Sequence, residues 1–217
     1  MIDADAYLCK ITGLLQHTFG TRLIYVGLQG SHLRGEAHEN SDIDVMVVLD
    51  GLTVEDMDRY REIIIAAGHK EKSCGFLCAR EDLLHWNACE ICHLLHTTRD
   101  FYGKLQPLVP VYTDEDVRTF VKWSVGNLYH ALCHTYVHAG DAAAAGALPD
   151  LYKQVFFILQ NLYFLQTGRF IVRKAELLSV LNGLDQQVMA RTIDLQRLGQ
   201  DALQLLFIWC QQTLQAL

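Results

Sequence analysis

Basic residues are in short supply. The chain holds 18 Lys and Arg against 25 Asp and Glu, a formal charge of −7. Excess acid opposes a phosphate backbone, so sequence-independent nucleic-acid binding is not expected, whereas a cationic small molecule is electrostatically matched. Proline is rarer still, with three in 217 residues, and the 15 glycines leave no collagen-like or low-complexity tract. No stretch approaches the roughly 20 apolar residues of a membrane span. The most apolar run, 155–159, is bounded by Lys153 and Gln154 on one side and by Gln160 and Asn161 on the other. Residues 1–6 lack the basic-then-apolar layout of a secretory signal. These absences lead to the expectation of a cytoplasmic protein with no membrane partner. Seven cysteines, an odd number, in a reducing setting argue against a disulfide framework and for small core residues.

Apolar residues are plentiful. At 51% of 217 they support a real core and one large domain or two small ones. Tyr7, Leu8, Ile11, Leu14 and Leu15 recur at helical spacing, which predicts a helix over 4–18 ending at Gly20. Residues 22–27 read as a strand, 28–41 as a Gly- and polar-rich connection, and 43–49 as a buried strand. Thr53 caps a predicted helix over 53–67, 73–79 reads as a third strand, and 81–105 reads as irregular helix. After Pro107 and Pro110 the pattern changes. Helices are predicted over 114–139, 149–167, 173–182 and 185–216, with no strand among them. The expected boundary follows residue 112, with an α/β part over 1–112 and an all-helical part over 113–217.

The chemistry concentrates in residues 27–44. Gly30 and Gly35 have Walker-loop spacing, but Glu36 and Ala37 follow where Lys and Ser or Thr are required. The glycines also miss the dinucleotide fingerprint. Asp42 and Asp44 stand two apart at the start of a strand, so both carboxylates project from one face and can hold divalent cations. Gly30 and Ser31 follow a strand with a tight turn, where backbone N–H groups and the Ser31 hydroxyl can cradle phosphate oxygens. A phosphate cradle beside a paired-Asp metal site suits metal-assisted phosphoryl or nucleotidyl transfer.

These residues, Gly30-Ser31, then Arg34-Gly35, then Ser41-Asp42-Ile43-Asp44 running into an apolar strand, resemble the signature of the nucleotidyltransferase superfamily that includes DNA polymerase beta. The resemblance covers about fifteen contiguous residues between two predicted strands. It implies an α+β protein in which a small mixed-sheet nucleotidyltransferase domain precedes an all-α helical bundle. That layout is similar to the two-domain aminoglycoside nucleotidyltransferases. The stretch Arg80-Glu81-Asp82-Leu83-Leu84-His85-Trp86 looks like their acid-acid-apolar-apolar-x-Trp segment. Thr167-Gly168 followed by Arg173-Lys174 looks like their Thr-Gly helix end and downstream phosphate-binding Lys.

The resemblance implies that Asp42 and Asp44 coordinate Mg²⁺. Gly30, Ser31 and Ser41 would serve the nucleotide, and Arg34 would neutralise phosphate or brace the loop. Lys153 and Lys174, with Arg169 and Arg173, are cations of the helical part that can reach a triphosphate. The implied reaction moves a nucleoside monophosphate from ATP or another nucleoside triphosphate to a hydroxyl of a small, cationic acceptor such as an aminoglycoside-like antibiotic. A protein hydroxyl, as in toxin–antitoxin modules, is an alternative acceptor.

The family usually carries a third carboxylate on the next strand. Alignment on Trp86 puts Cys74 there, and no acid lies between Ser73 and Arg80. Glu71, Glu81, Asp82 or Glu90 could substitute. If none does, the chain is a nucleotide-binding module with weak or no turnover.

Two other constellations stand out. Cys74, Cys78, Cys89 and Cys92 have tolerable zinc spacing, although Cys74 and Cys78 read as inner-face strand residues and buried thiols are the simpler reading. His130, His134 and His138 form an i, i+4, i+8 row opposite the apolar face of their helix, which reads as a solvated stripe.

Overall fold

A computed structural model describes residues 2–195, 198–199 and 201–217, the side chains of 139 and 141–144 excepted. The chain divides into two compact units, Met1–Val111 and Tyr112–Leu217.

The first unit is built on β2 (Ile43–Leu49), whose sequence IDVMVVL is apolar apart from Asp44. Such a strand must be covered on both faces. It pairs antiparallel with β1 (Leu23–Gln29) and parallel with β3 (Ser73–Ala79). A short edge strand, β4 (Arg99–Tyr102), adds antiparallel to β1, so the mixed sheet runs β3-β2-β1-β4. Side chains alternate between the two faces. Ile43, Val45, Val47 and Leu49 share one core with Tyr7, Leu8, Ile11 and Leu15 of α1 (Ala4–Phe19) and Ile63 of α3 (Val54–Ala67). Met46 and Val48 point the other way, into a core with Tyr25, Cys78 and Leu83. Leu83 belongs to α4 (Arg80–Leu84), which precedes α5 (Ala88–His96). Asp44 shares the parity of Met46, so it lies on this second face, at its open end.

The second unit is all helix: α6 (Asp114–Ala139), α7 (Asp141–Thr167), α8 (Lys174–Val180), α9 (Gly183–Arg191) and α10 (Ala202–Ala216). Val121, Val125, Leu128 and Leu132 of α6 pack with Tyr152, Val155, Phe156 and Leu159 of α7, and with Leu206 and Trp209 of α10.

The structure revises four sequence expectations. Residues 30–34, read as connection, form a one-turn helix, α2 (Gly30–Arg34). Within 81–105 the chain ends in β4, whose four residues are half charged and too short for a period to show. Helix α7 begins at Asp141 and carries Pro149 inside it; proline favours a first helical turn, which is why 149 looked like a start. The span 185–216 holds two helices, because α9 ends at Thr192, whose hydroxyl turns back to the Met189 carbonyl at 2.8 Å.

One ion pair ties the sheet to its covering helix. Arg22, just ahead of β1, donates from both terminal guanidinium nitrogens to the buried Asp56 carboxylate, at 3.0 and 2.6 Å. Asp56 also closes the capping box of α3 with Thr53. The Arg22 guanidinium, and after it the Thr53 bonds, hold the Asp56 carboxyl well below the usual carboxylate range. A depressed carboxylate contributes stability that is present above its unfolded pKa, about 4, and is lost as pH falls toward the folded value. Asp56→Asn therefore lowers the melting temperature at pH 7, and the gap from wild type closes as pH drops below about 4. A pH-independent gap in thermal melts would assign the loss to the cap instead of the ion pair.

Candidate active site

The antiparallel register sets Gln29 of β1 opposite Asp44, and the parallel register sets Cys74 of β3 opposite Asp44 on the other side. Residues paired across strands share a face. Gln29, Asp44 and Cys74 thus form one row across three strands, with exposed Asp42 just outside β2 on the same face. Neither Asp42 nor Asp44 has an ion-pair partner among the described residues. Two neighbouring carboxylates without a counter-charge are a hard-oxygen donor set of the kind that takes Mg²⁺.

The turn after β1 is shaped to the Asp44 carboxylate. Gly30 has φ +68°, and a Cβ there would lie 1.8 Å from Asp44 Oδ2. Only glycine permits both that backbone conformation and that approach. Ser31 follows, half-buried, in the first turn of α2. Gly35, in the left-handed conformation, ends the helix by donating its N–H to the carbonyls of Ser31 and His32.

Arg34 and Ser41 take local structural positions. Arg34 Nε donates to Glu36 at 2.8 Å, and only 14% of its side chain is exposed. Desolvation, then the nearby Arg34 charge, lowers the His93 pKa to about 4, so His93 of α5 is neutral beside this guanidinium at pH 7. Ser41 is buried, and its hydroxyl accepts the His38 N–H at 2.9 Å, closing the turn that delivers Asp42.

Cys74 occupies the position expected of the third carboxylate. Its residue is exposed, against the inner-face expectation, and lies opposite Asp44 in the parallel register. Desolvation, then the Asp44 and Asp42 charges, hold this thiol above its ordinary pKa, so it is neutral at pH 7. The possible substitutes sort by position. β3 runs parallel to β2, so Ala79 pairs with Leu49 at the far end of the sheet. At about 3.3 Å per residue, Glu81 and Asp82 lie beyond a strand's length from Asp44. Glu90 is occupied by the Trp86 indole, which donates to it at 3.0 Å. Glu71, in the turn ahead of β3, is at the correct end and exposed.

Gln29 escaped the sequence reading, which ended the first strand at Gly27. Its amide donates to Thr98 Oγ1 at 2.8 Å, which anchors the row at the β4 side. The only sign of it was position: it is the polar residue between an apolar strand and Gly30.

In the helical unit, Lys153 is exposed and pairs with Asp150 at 2.7 Å, while Arg169 pairs with Glu176 at 2.7 Å. Lys174, at the start of α8, is half-buried with its ammonium 5.4 Å from the centre of the Phe156 ring. The four-cysteine zinc grouping does not form. Cys74 and Cys78 are four residues apart along one strand, about 13 Å, and no metal-holding group of three His, Cys, Asp or Glu occurs among the described residues. The His130, His134 and His138 row is exposed.

Gly30→Ala combines left-handed strain with displacement of the Asp44 carboxylate. Gly35→Ala has similar strain at φ +69° but nothing within 4 Å of the new methyl. Gly35→Ala should cost about 1–2 kcal/mol and Gly30→Ala more, up to about 3 kcal/mol. Denaturant titration of both variants checks the order; equal losses would mean that Asp44 yields freely.

Residues 8–74 match the family model described as nucleotidyltransferase domain. No curated protein matches the sequence. Among solved structures, the spectinomycin adenyltransferase AAD(9) from Enterococcus faecialis, solved with ATP and spectinomycin, is similar over 96% of this chain and 98% of its own. The identity is 14% and the TM-score 0.58, which shows a shared fold. A toxin–antitoxin structure with AMP-PNP is similar over 62% of this chain and 93% of its own, at 20% identity and a TM-score of 0.35. No helix among the described residues is long and apolar enough to cross a membrane. Residues 8–74, which hold most of α1, all of β1 and β2 and the Gly30 turn, match a nucleotidyltransferase domain, and the protein is a transferase enzyme.

Proposed function

We propose that the protein transfers a nucleoside monophosphate from a Mg²⁺-bound nucleoside triphosphate, ATP foremost, to a hydroxyl of a small cationic acceptor resembling an aminoglycoside. The observation that carries this reading is the uncompensated Asp42–Asp44 pair against a glycine turn shaped to Asp44. The similarity in fold to an adenyltransferase solved with ATP and spectinomycin supports the choice of ATP and of an antibiotic-like acceptor.

Asp42 and Asp44 would hold the metal. Mg²⁺, when bound, supplies charge stabilisation to the attacking and leaving oxygens of an in-line displacement. The Gly30 turn and the Ser31 hydroxyl orient the terminal phosphates by hydrogen bonding. Arg34, held by Glu36, keeps that turn in place. Gln29 and Cys74 flank Asp44 in the register. The acceptor hydroxyl loses its proton to a base, for which exposed Glu71 is the acid at the correct end of the sheet. The helical unit, residues 113–217, would select the acceptor. We place this activity in the cytoplasm, in line with seven free thiols, and without nucleic acid as partner.

Thermal unfolding with ATP, GTP, CTP and UTP, with and without Mg²⁺, tests the site. A ligand at 100 times its dissociation constant adds about 2.7 kcal/mol. The expected result is a Mg²⁺-dependent rise for at least one nucleotide that vanishes in Asp42→Asn and Asp44→Asn. Full metal-dependent pyrophosphate release by either variant would refute the assignment.

A second reading is favoured by Cys74 itself: with a neutral thiol opposite Asp44, the chain binds nucleotide and turns it over weakly. Cys74→Asp separates the two readings. Pyrophosphate release rising by about tenfold or more, with nucleotide binding retained, supports weak turnover in the natural chain; an unchanged or reduced rate supports the first reading.

A further inference from the structure

Helix α6 carries a row of histidines that the proposed reaction does not use. His130, His134 and His138 follow one another at four-residue spacing and are all exposed. Residues four apart on a helix are surface neighbours. The rings of His134 and His138 have centres 4.9 Å apart, with 47° between their planes, whereas those of His130 and His134 are 6.0 Å apart. None of the three is in a hydrogen bond or ion pair with a described residue. No Lys or Arg occurs between Trp123 and His138, so no cation of that stretch repels a metal ion.

The ring separation can be compared with what one ion requires. A metal about 2.0–2.1 Å from a ring nitrogen lies about 3.2 Å from the centre of that ring. Two rings on one ion, at the square-planar angle of about 90° or the tetrahedral angle of about 109°, then have centres about 4.5–5.2 Å apart. His134 and His138 fall inside this window, and His130 and His134 fall outside it. His130 also lies about 12 Å from His138 along the helix axis, too far to share the ion. Paired His at i and i+4 on one helix face is an arrangement that holds zinc. Here Thr135, Tyr136 and Val137 lie between the two and include no acid, so the pair supplies ligands but no general base for metal-bound water. Imidazole prefers Cu²⁺, Ni²⁺ and Zn²⁺ to Mg²⁺, the reverse of the Asp42–Asp44 carboxylates.

We propose that His134 and His138 chelate one late first-row divalent cation, of the class of Cu²⁺, Ni²⁺ and Zn²⁺, on the surface of the helical unit. No group of three His, Cys, Asp or Glu able to hold a metal occurs among the described residues. The two imidazoles are therefore the protein's ligands, and water fills the remaining positions, which leaves the ion open to a further ligand. The site is independent of Asp42 and Asp44 and stands whether or not the nucleotidyl-transfer reading does.

Calorimetric titration of the full chain with NiCl₂, in excess MgCl₂ to occupy hard-oxygen sites, tests it. Ni²⁺ is the probe because Cu²⁺ oxidises thiols, and Cys9 and Cys74 are exposed. The expected result is saturable binding of Ni²⁺ with a dissociation constant below about 1 mM. His134→Asn and His138→Asn should each weaken it by about tenfold or more, because one ring alone loses the chelate. His130→Asn should stay within about twofold of wild type. All three positions are exposed and Asn matches His in helix propensity, so melting temperatures without Ni²⁺ should stay near wild type. Asp42→Asn and Asp44→Asn should bind Ni²⁺ normally, so failure of the nucleotide site leaves this test intact. No saturable binding, undiminished binding in both His134→Asn and His138→Asn, as capture by thiols would give, or an equal loss in His130→Asn would overturn the proposal and leave the row as a solvated face.

Discussion

The Asp44 carboxylate lies where a side chain on Gly30 would be. A Cβ there would sit 1.8 Å from Oδ2, and this closeness follows from the β1–β2 register that sets Gln29 opposite Asp44. Gly30 is the first residue beyond that pair, so the chain must leave β1 directly across the carboxylate. A left-handed φ turns it away at once and starts α2. The turn, the short helix and the Gly35 stop are therefore consequences of keeping one carboxylate at the end of a central strand. Arg34, clamped to Glu36, and Ser41, buried in the returning turn, then fix the two ends of the segment that Asp44 displaces. Arg22–Asp56 does related work on the opposite face: it anchors β1 at its start, so that its last residue arrives in register.

The parallel pairing with β3 has a different outcome. It delivers Cys74, a neutral thiol, to the side of Asp44 where the resemblance calls for a third acid. Geometry alone removes Glu81 and Asp82, because a parallel strand carries its C-terminal end away from the row. It leaves Glu71 as the acid at the same end of the sheet. The difference between a thiol and a carboxylate here is one of charge and not of place, which is why a single substitution at Cys74 is the test of the weak-turnover reading.

Much of this was legible in the sequence for physical reasons. The strand over 43–49 announced itself because burial on both faces demands an unbroken apolar run, and Asp42 and Asp44 could be put on one face because strand periodicity is fixed at two. Cys74 could be placed at the third-carboxylate position because the family resemblance, aligned on Trp86, implies it; the register that sets it beside Asp44 came from the structure. What stayed hidden depended on pairing between distant segments. β4 is four residues of an edge strand with two charges, and nothing local marks it. Gln29 gains meaning only from the residue opposite. Thr192 breaks a helical period that continues past it, through one hydroxyl-to-carbonyl bond. The exposure of Cys74 likewise depends on β3 lying at the sheet edge, which no periodicity states.

Charge is distributed unevenly between the two units. Residues 1–111 hold 16 Asp and Glu against 10 Lys and Arg, whereas 112–217 hold 9 against 8. The unit with the Gly30 turn is thus the acidic one, and it is asked, under the proposed function, to hold a polyanion. Arg34, the cation within the turn, is already neutralised by Glu36. Long-range attraction therefore works against triphosphate binding, and the affinity must come from short-range sources: backbone N–H groups at the turn and a divalent cation on the Asp pair. Such a site is selective by construction. Without the cation, two carboxylates repel the phosphates; with it, the same carboxylates become the reason the phosphates are held. Acidic surroundings also favour a cationic acceptor over nucleic acid, so one charge imbalance bears on both substrates at once. Under the proposed function it would discourage free nucleotide, reward the metal-bound form and draw a cationic acceptor.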